Sequence, residues 1–247
     1  MRVIFSRKGF DSSAGGAPSP IVNGQPISIP IPTNHRSETT YGQLGLGDFV
    51  SRITKNRYTK HSLCHHDPMF QANKCAFGQT AAAQSHLANN GVGVGDVFLF
   101  FGLFSDLSGK DRHHRIFGYL QVEEVMHLGA SPTLADQPSG FEKRHPHTIG
   151  EWNPNNTIYL GPGAVTTSSE KSLRLTRIGD RVSLWRVPSW LRKAGLSYHG
   201  KQSRWSNDDT LQVVGRGQEF VSDITGNIEA NVWLDKILSE IRGVESV

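Results

Sequence analysis

Residues 95–125 read GDVFLFFGLFSDLSGKDRHHRIFGYLQVEEV, and this stretch decides the fold. Gly95-Asp96 is a turn with an acidic side chain, and it opens an apolar run from Val97 to Phe101. A polar loop dense in cations and histidines follows. A second apolar run, Ile116 to Val125 with Gly118 inside it, reads as another strand. Two strands joined by a basic loop make a hairpin.

The flanking sequence supplies partners for that hairpin. Met1 to Phe5 reads as a strand, and a glycine-rich loop runs from Gly9 to Pro20. Residues 21–32, IVNGQPISIPIP, carry the turn dipeptide Asn23-Gly24 and alternate Ile27, Ile29 and Ile31, so they predict a hairpin. Pro30 and Pro32 confine it to an edge or an extended arm. Residues 41–50 are too glycine-rich to assign, and 61–74 read as irregular. Residues 80–89, TAAAQSHLAN, are alanine-rich and end at Asn89-Asn90-Gly91, which predicts a helix. A long polar loop spans 129–154. Strands are expected at 156–161, 178–187 and 211–214, with a short helix over 188–194. Ile228, Val232, Leu234, Ile237, Leu238 and Ile241 recur at helical spacing and predict an amphipathic closing helix. No repeat and no linker divides the chain, so the expectation is one α+β domain over residues 1–247.

The 247 residues include 26 glycines and 12 prolines, which predicts many turns and short elements. No apolar run reaches the roughly 20 residues needed to span a bilayer, and the first ten residues lack a signal-peptide core. The cytoplasm is therefore expected, with Cys64 and Cys75 reduced. Net charge is +4, with eleven histidines in reserve, and this favours an anionic partner. The cations cluster. Lys110, Arg112 and Arg115 fall in the hairpin loop and are candidate nucleic-acid contacts. Lys171 to Arg186 hold five more cations. Arg192, Lys193, Lys201 and Arg204 lie among Trp185, Trp190 and Trp205, at least one of which is expected at the surface.

Several segments carry candidate chemistry. In SRKGFDSSAGG, residues 6–16, backbone N–H groups and Lys8 are suited to an anion, while Asp11 and Ser12 are able to accept or transfer a proton. An ordinary surface loop is the plainer explanation. In HSLCHHDP, His65, His66 and Asp67 are candidate metal ligands or acid–base groups. Adjacent histidines on an extended chain face opposite ways, so no metal is expected there. His145 and His147, as H-x-H in the long loop, share a face under alternation but read as a loop feature. In VVGRGQEFVSD, glycines flank Arg216, Gln218 is able to read a base edge, and Glu219 to act as acid or base. No G-x-S-x-G, H-E-x-x-H, Walker or kinase motif is present, which disfavours the standard hydrolases and kinases.

Six segments together resemble a known family: GFDSSAGGAPSPI (9–21), HHDP (65–68), FGQTAAAQSHL (77–87), GDVFLFFGLF (95–104), RIFGYLQV (115–122) and GRGQEFV (215–221). Their order and spacing are similar to the third of the nucleotide-modification-associated domain families, whose members occur in bacteria and phages near base-altering enzymes. The resemblance implies DNA, RNA or a nucleotide as partner, with other base-modification enzymes nearby, and it names no cofactor. It implies site roles for Asp11, Ser12, His66, Asp67, Gln79, Gln84, Gln218 and Glu219, to which charge adds Lys8 and Arg216. The Gly-Asp turn with Gly118 also resembles the PUA/EVE/ASCH barrels, which implies a mixed, curved sheet or barrel with a few flanking helices. Three functions remain open on these grounds: an enzyme altering a base by transfer or hydrolysis, a non-catalytic reader of a modified base, and an enzyme of small anionic metabolites.

Overall fold

The computed structural model describes residues 1–215 and 217–243. The chain runs through β1 (Arg2–Arg7), β2 (Ser19–Val22), β3 (Gln25–Pro26), α1 (Gly47–Ile53), β4 (Met69–Gln71), β5 (Lys74–Gln79), α2 (Ala81–Asn89), β6 (Val97–Asp106), β7 (His113–Gln121), β8 (Glu124–His127) and β9 (Thr157–Val165). It continues through β10 (Leu184–Arg186), α3 (Trp190–Ala194), β11 (Trp205–Asn207), β12 (Thr210–Gln212), β13 (Glu219–Asp223) and α4 (Ile228–Arg242).

The β6–β7 hairpin forms the middle of a mixed sheet ordered β13-β1-β6-β7-β9-β5-β4, with β2 and β3 extending beside β6 and β8 beside β9. β6 pairs antiparallel with β7 and parallel with β1 and β2. A strand with partners on both edges and cover on both faces must be apolar throughout. Val97, Leu99 and Phe101 join one core with Phe5, Trp185 and α4, while Phe98, Phe100 and Phe104 join a second core with Phe77, Tyr159 and Leu87 of α2. The sheet stays open, which corrects the expected alternative of a closed barrel. A smaller sheet, β10-β12-β11, packs Trp185, Trp205 and Leu211 into the first core.

α4 closes that core with Ala230, Leu234, Ile237, Leu238 and Ile241, each large side chain worth about 1.5–3 kcal/mol on burial. Asn227 caps its start by accepting from the Ala230 N–H, and Gly243 ends it with φ 68°. Ile228 and Val232 lie off the buried stripe, at 77% and 65% exposure, so the apolar face is narrower than the spacing predicts.

Three further expectations fail on packing. β7 starts at His113, so His113, His114 and Arg115 are strand residues and the hairpin loop shrinks to residues 107–112. Residues 178–183 form no strand, and Ile178 is exposed. Trp185, Trp190 and Trp205 are all buried, so none offers a stacking surface. Cys64 and Cys75 are both buried free thiols.

Candidate functional site

A cavity of about 580 Å³ opens where the ends of β1 and β5 meet the loops that precede β4, β9 and β13. Arg7, Lys8 and Asp11 reach it from the first loop, Asp67 from the second, Gln79 from β5 and Gln218 from the last. Segments as far apart along the chain as Arg7 and Gln218 thus share one hollow, because β1 lies between β6 and β13 in the sheet. Ser6 pairs with Glu219 across that ladder, and Lys8 N–H bonds to Phe101 O at 2.8 Å.

On one side of the end of β5, Lys8 Nζ lies 3.0 Å from Glu219 Oε1, and Gln79 Nε2 donates to the same oxygen at 2.7 Å. The ammonium also sits over the Phe77 ring, 4.2 Å from its centroid. Glu219 is 1% exposed, so its charge is compensated within the protein. Arg7 donates to the carbonyls of Val214 and Gly215 and anchors the segment ahead of Gln218.

On the other side, Asp67 faces three histidines. Its Oδ1 accepts from the Gly78 N–H at 3.0 Å and lies 3.4 Å from His145 Nε2. Its Oδ2 lies 3.7 Å from His65 Nε2 and 3.8 Å from His147 Nε2. Burial works against the Asp67 charge, but the contacts from His145 and His65 outweigh it and hold the carboxyl well below its ordinary range. Burial pushes the His147 imidazole down to about 3, so that ring is neutral. Its Nδ1 lies 2.6 Å from Asn156 Oδ1, and its face stacks on Trp152 at 4.2 Å. Arg36 covers the Trp152 ring in turn, 4.4 Å from its centroid. Gly78 makes the ring's position available: a Cβ there would collide with the His147 imidazole. His65, Asp67 and His147 offer ligand atoms within 4.8 Å of one another, an arrangement able to hold a metal ion.

The structure separates several residues grouped by the sequence. Asp11 lines the cavity, but its Oδ1 accepts from Ser13 N–H, Ser13 O–H and Ala14 N–H, which closes its own turn. Ser13 lines the hollow and Ser12 is an exposed residue outside it. His66 lines a second cavity of about 250 Å³, and burial lowers its pKa to about 4, so the histidine beside Asp67 is His65. Gln84 is buried under α2 and accepts from the Tyr159 hydroxyl, away from the cavity. Arg115 is 3% exposed, donates to Glu170 O and has its pKa lowered to about 10 by burial, so it is a structural cation and not a phosphate contact. Lys110 and Arg112 remain exposed in the loop. Arg216 lies outside the described residues.

His145, His147, Asn156 and Gly78 were not assigned to this site by sequence reasoning, whereas His65 was a candidate beside His66 and Asp67. The H-x-H spacing was the available signal, and what hid its meaning was the distance along the chain to Asp67.

Residues 2–223 match a family described as nucleotide modification associated domain 3. The chain belongs to this family. The match spans β1 through β13 and so contains every residue of the cavity described above. No curated protein and no solved structure matches the chain. Membership in the nucleotide modification associated domain 3 family ties the chain to nucleotide modification, and hence to a nucleotide or nucleic acid. No helix among the described residues is long and apolar enough to cross a membrane.

Proposed function

We propose that the chain is an enzyme that alters a nucleobase, in a nucleotide or a nucleic acid, within the 580 Å³ cavity. The single observation that carries this reading is the convergence of cations, amides and the Asp67 carboxylate on one hollow, with buried Glu219 bonded to Lys8 and Gln79 of its wall. Its volume falls in the range of small-molecule sites, about 300–1,000 Å³. Arg7, Lys8 and Arg36 supply positive charge at the wall for a phosphate. Gln218 offers paired donor and acceptor groups to a base edge, while the Gln79 amide is engaged by Glu219 and Thr80. Asp67 and Glu219 are the carboxylates placed to take or return a proton in a transfer or hydrolysis step. Asp11, spent on its own turn, falls out of that role.

The test is mass spectrometry of nucleosides from DNA and RNA of cells with and without the chain, repeated with Glu219→Gln and Asp67→Asn. One altered nucleoside is expected with the native chain, and each variant should lower its level at least ~100-fold while the fold persists. Undiminished product in both variants would remove the catalytic reading.

The exposed Lys110 and Arg112 favour a second reading, a module that binds nucleic acid without chemistry. It predicts no altered nucleoside and an affinity that falls steeply with salt. Changing Lys110 and Arg112 together to alanine should flatten that slope by about two contacts.

A further inference from the structure

We infer that His65 Nε2, His147 Nε2 and Asp67 Oδ2 form a binding site for one divalent transition-metal ion on the floor of the cavity. The inference goes beyond the nucleotide reading and stands on donor geometry alone.

Hydrogen-bond bookkeeping carries it. Asn156 Nδ2 donates to His147 O at 2.9 Å, which fixes the amide so that Oδ1 faces His147 Nδ1 at 2.6 Å. An amide oxygen only accepts, so the proton of the neutral ring sits on Nδ1. Nε2 then carries a lone pair, and it faces Asp67 Oδ2, another acceptor, across 3.8 Å. A proton placed between them would make no hydrogen bond at that length. His65 Nε2 faces the same oxygen at 3.7 Å. The His147 lone pair and Asp67 Oδ2 therefore face each other as acceptors with no donor between them, and His65 Nε2 completes a cluster whose three ligand atoms lie within 4.8 Å of one another. Facing acceptors repel, and a cation at the centre of the cluster resolves it.

The other side of each ligand is already held. His145 Nδ1 accepts from the His147 N–H at 3.2 Å, so its proton sits on Nε2 and points at Asp67 Oδ1. The Gly78 N–H reaches that same oxygen, which leaves Oδ2 for the ion. Trp152 stacks on His147, and the missing side chain at Gly78 leaves room for the ring. Bonds of about 2.1 Å to a tetrahedral ion separate ligand atoms by about 3.4 Å. The measured 3.7 and 3.8 Å close to that with a small contraction. Two imidazoles and one carboxylate suit Zn(II) or Fe(II) over Mg(II) or Ca(II). With three protein ligands, coordination positions stay open toward the cavity, the pattern of an ion that meets substrate or water and not of one that only holds the fold.

The test uses the full chain, stripped with a strong chelator, then titrated with Zn(II), Co(II), Mn(II), anaerobic Fe(II) and Mg(II) by calorimetry. The Co(II) form is read by visible absorption. One equivalent of Zn(II) or Co(II) should bind at micromolar dissociation constant or tighter, with Mg(II) at least ~100-fold weaker. His147→Gln and His65→Gln should each weaken Zn(II) at least ~100-fold. His145→Gln, a positioning change, should cost about 10–100-fold and shift the Co(II) bands. The exposed His61→Gln should bind as the native chain does. His65 is partly exposed, so its variant is a test that survives if the His147 variant misfolds. A folded stripped chain that takes up none of these ions in stoichiometric amount, or His65→Gln and His147→Gln variants that bind Zn(II) as tightly as the native chain, would overturn the inference. Because binding is read without any substrate, failure here is distinct from failure of the nucleotide reading.

Discussion

Two polar clusters flank the end of β5, and they are satisfied in opposite ways. In the Lys8–Glu219–Gln79 cluster two donors meet one carboxylate oxygen at 3.0 and 2.7 Å. In the His65–Asp67–His147 cluster two imidazole Nε2 atoms lie 3.7 and 3.8 Å from one carboxylate oxygen, too far for a hydrogen bond. The first is a circuit closed through Glu219 Oε1, whose members depend on each other for folding, while Glu219 Oε2 is buried with no hydrogen-bond partner. The second is held from behind, by Asn156, His145 and Gly78, and is complete only when something positive enters. The difference teaches that buried charge near a cavity is not one kind of evidence: a closed pair speaks of stability, an open set of acceptors speaks of a ligand.

Removing a member of each cluster separates the two most sharply. Glu219→Ala leaves a buried ammonium without its carboxylate and should cost about 3–5 kcal/mol in urea unfolding. A loss below 1 kcal/mol would mean the circuit is not closed.

A histidine elsewhere supplies the control. His114 is partly buried, and Trp185 Nε1 donates to its Nδ1 at 3.0 Å, so its lone pair is used. Burial, with help from the Arg7 charge, pushes its pKa down to about 3. The unfolded chain takes up a proton near pH 6.5, before the folded ring does. Stability present above that pH should therefore fall by about 1.4 kcal/mol per pH unit for this group as pH drops from 6.5 toward 3. Replacing His114 by Gln should flatten the slope of stability against pH in that window by one proton. An unchanged slope would show that the ring is not buried neutral.

Gly78→Ala attacks the open cluster through its support. The new Cβ meets the His147 ring, and overpacking of this kind costs about 1–3 kcal/mol. Calorimetric unfolding measures it, and a neutral outcome would show that His147 moves freely.

The smallest effect is the most telling. In metal-free protein Asp67→Asn exchanges the carboxylate for an amide able to turn a donor toward the His147 lone pair. The midpoint of thermal unfolding should hold or rise, within about 1 kcal/mol of stability, where the matching change in a closed pair would lower it. A loss of several kcal/mol would put Asp67 in the same class as Glu219.

The fold was legible where packing is local or apolar. The β6 run announced a strand because both of its faces are covered, and α2 and α4 followed from composition and spacing. What misled was polarity read as exposure. His113 and Arg115 look like loop residues, yet Asp111 and Glu170 carbonyls receive them inside β7. Segments that bend with little regular structure, such as residues 178–183, carried no signal against a strand. Half of the site was legible for the same local reason: Lys8, Asp67, Gln79 and Glu219 sit in distinctive short segments. The other half depends on contacts made across the chain. His147 meets Asp67 only because Pro146 and Asn156 set a tight turn that brings the loop onto β5, and Gly78 matters only because that ring arrives. No spacing along the sequence encodes such a meeting.

Anomalous diffraction at the zinc edge, from crystals of the native chain grown with one equivalent of Zn(II), tests the central claim most directly. A single strong peak within about 2.0–2.2 Å of His65 Nε2, His147 Nε2 and Asp67 Oδ2 is the result this account predicts. Zinc found only at other sites, with the three ligand atoms still facing one another across an empty centre, would contradict it.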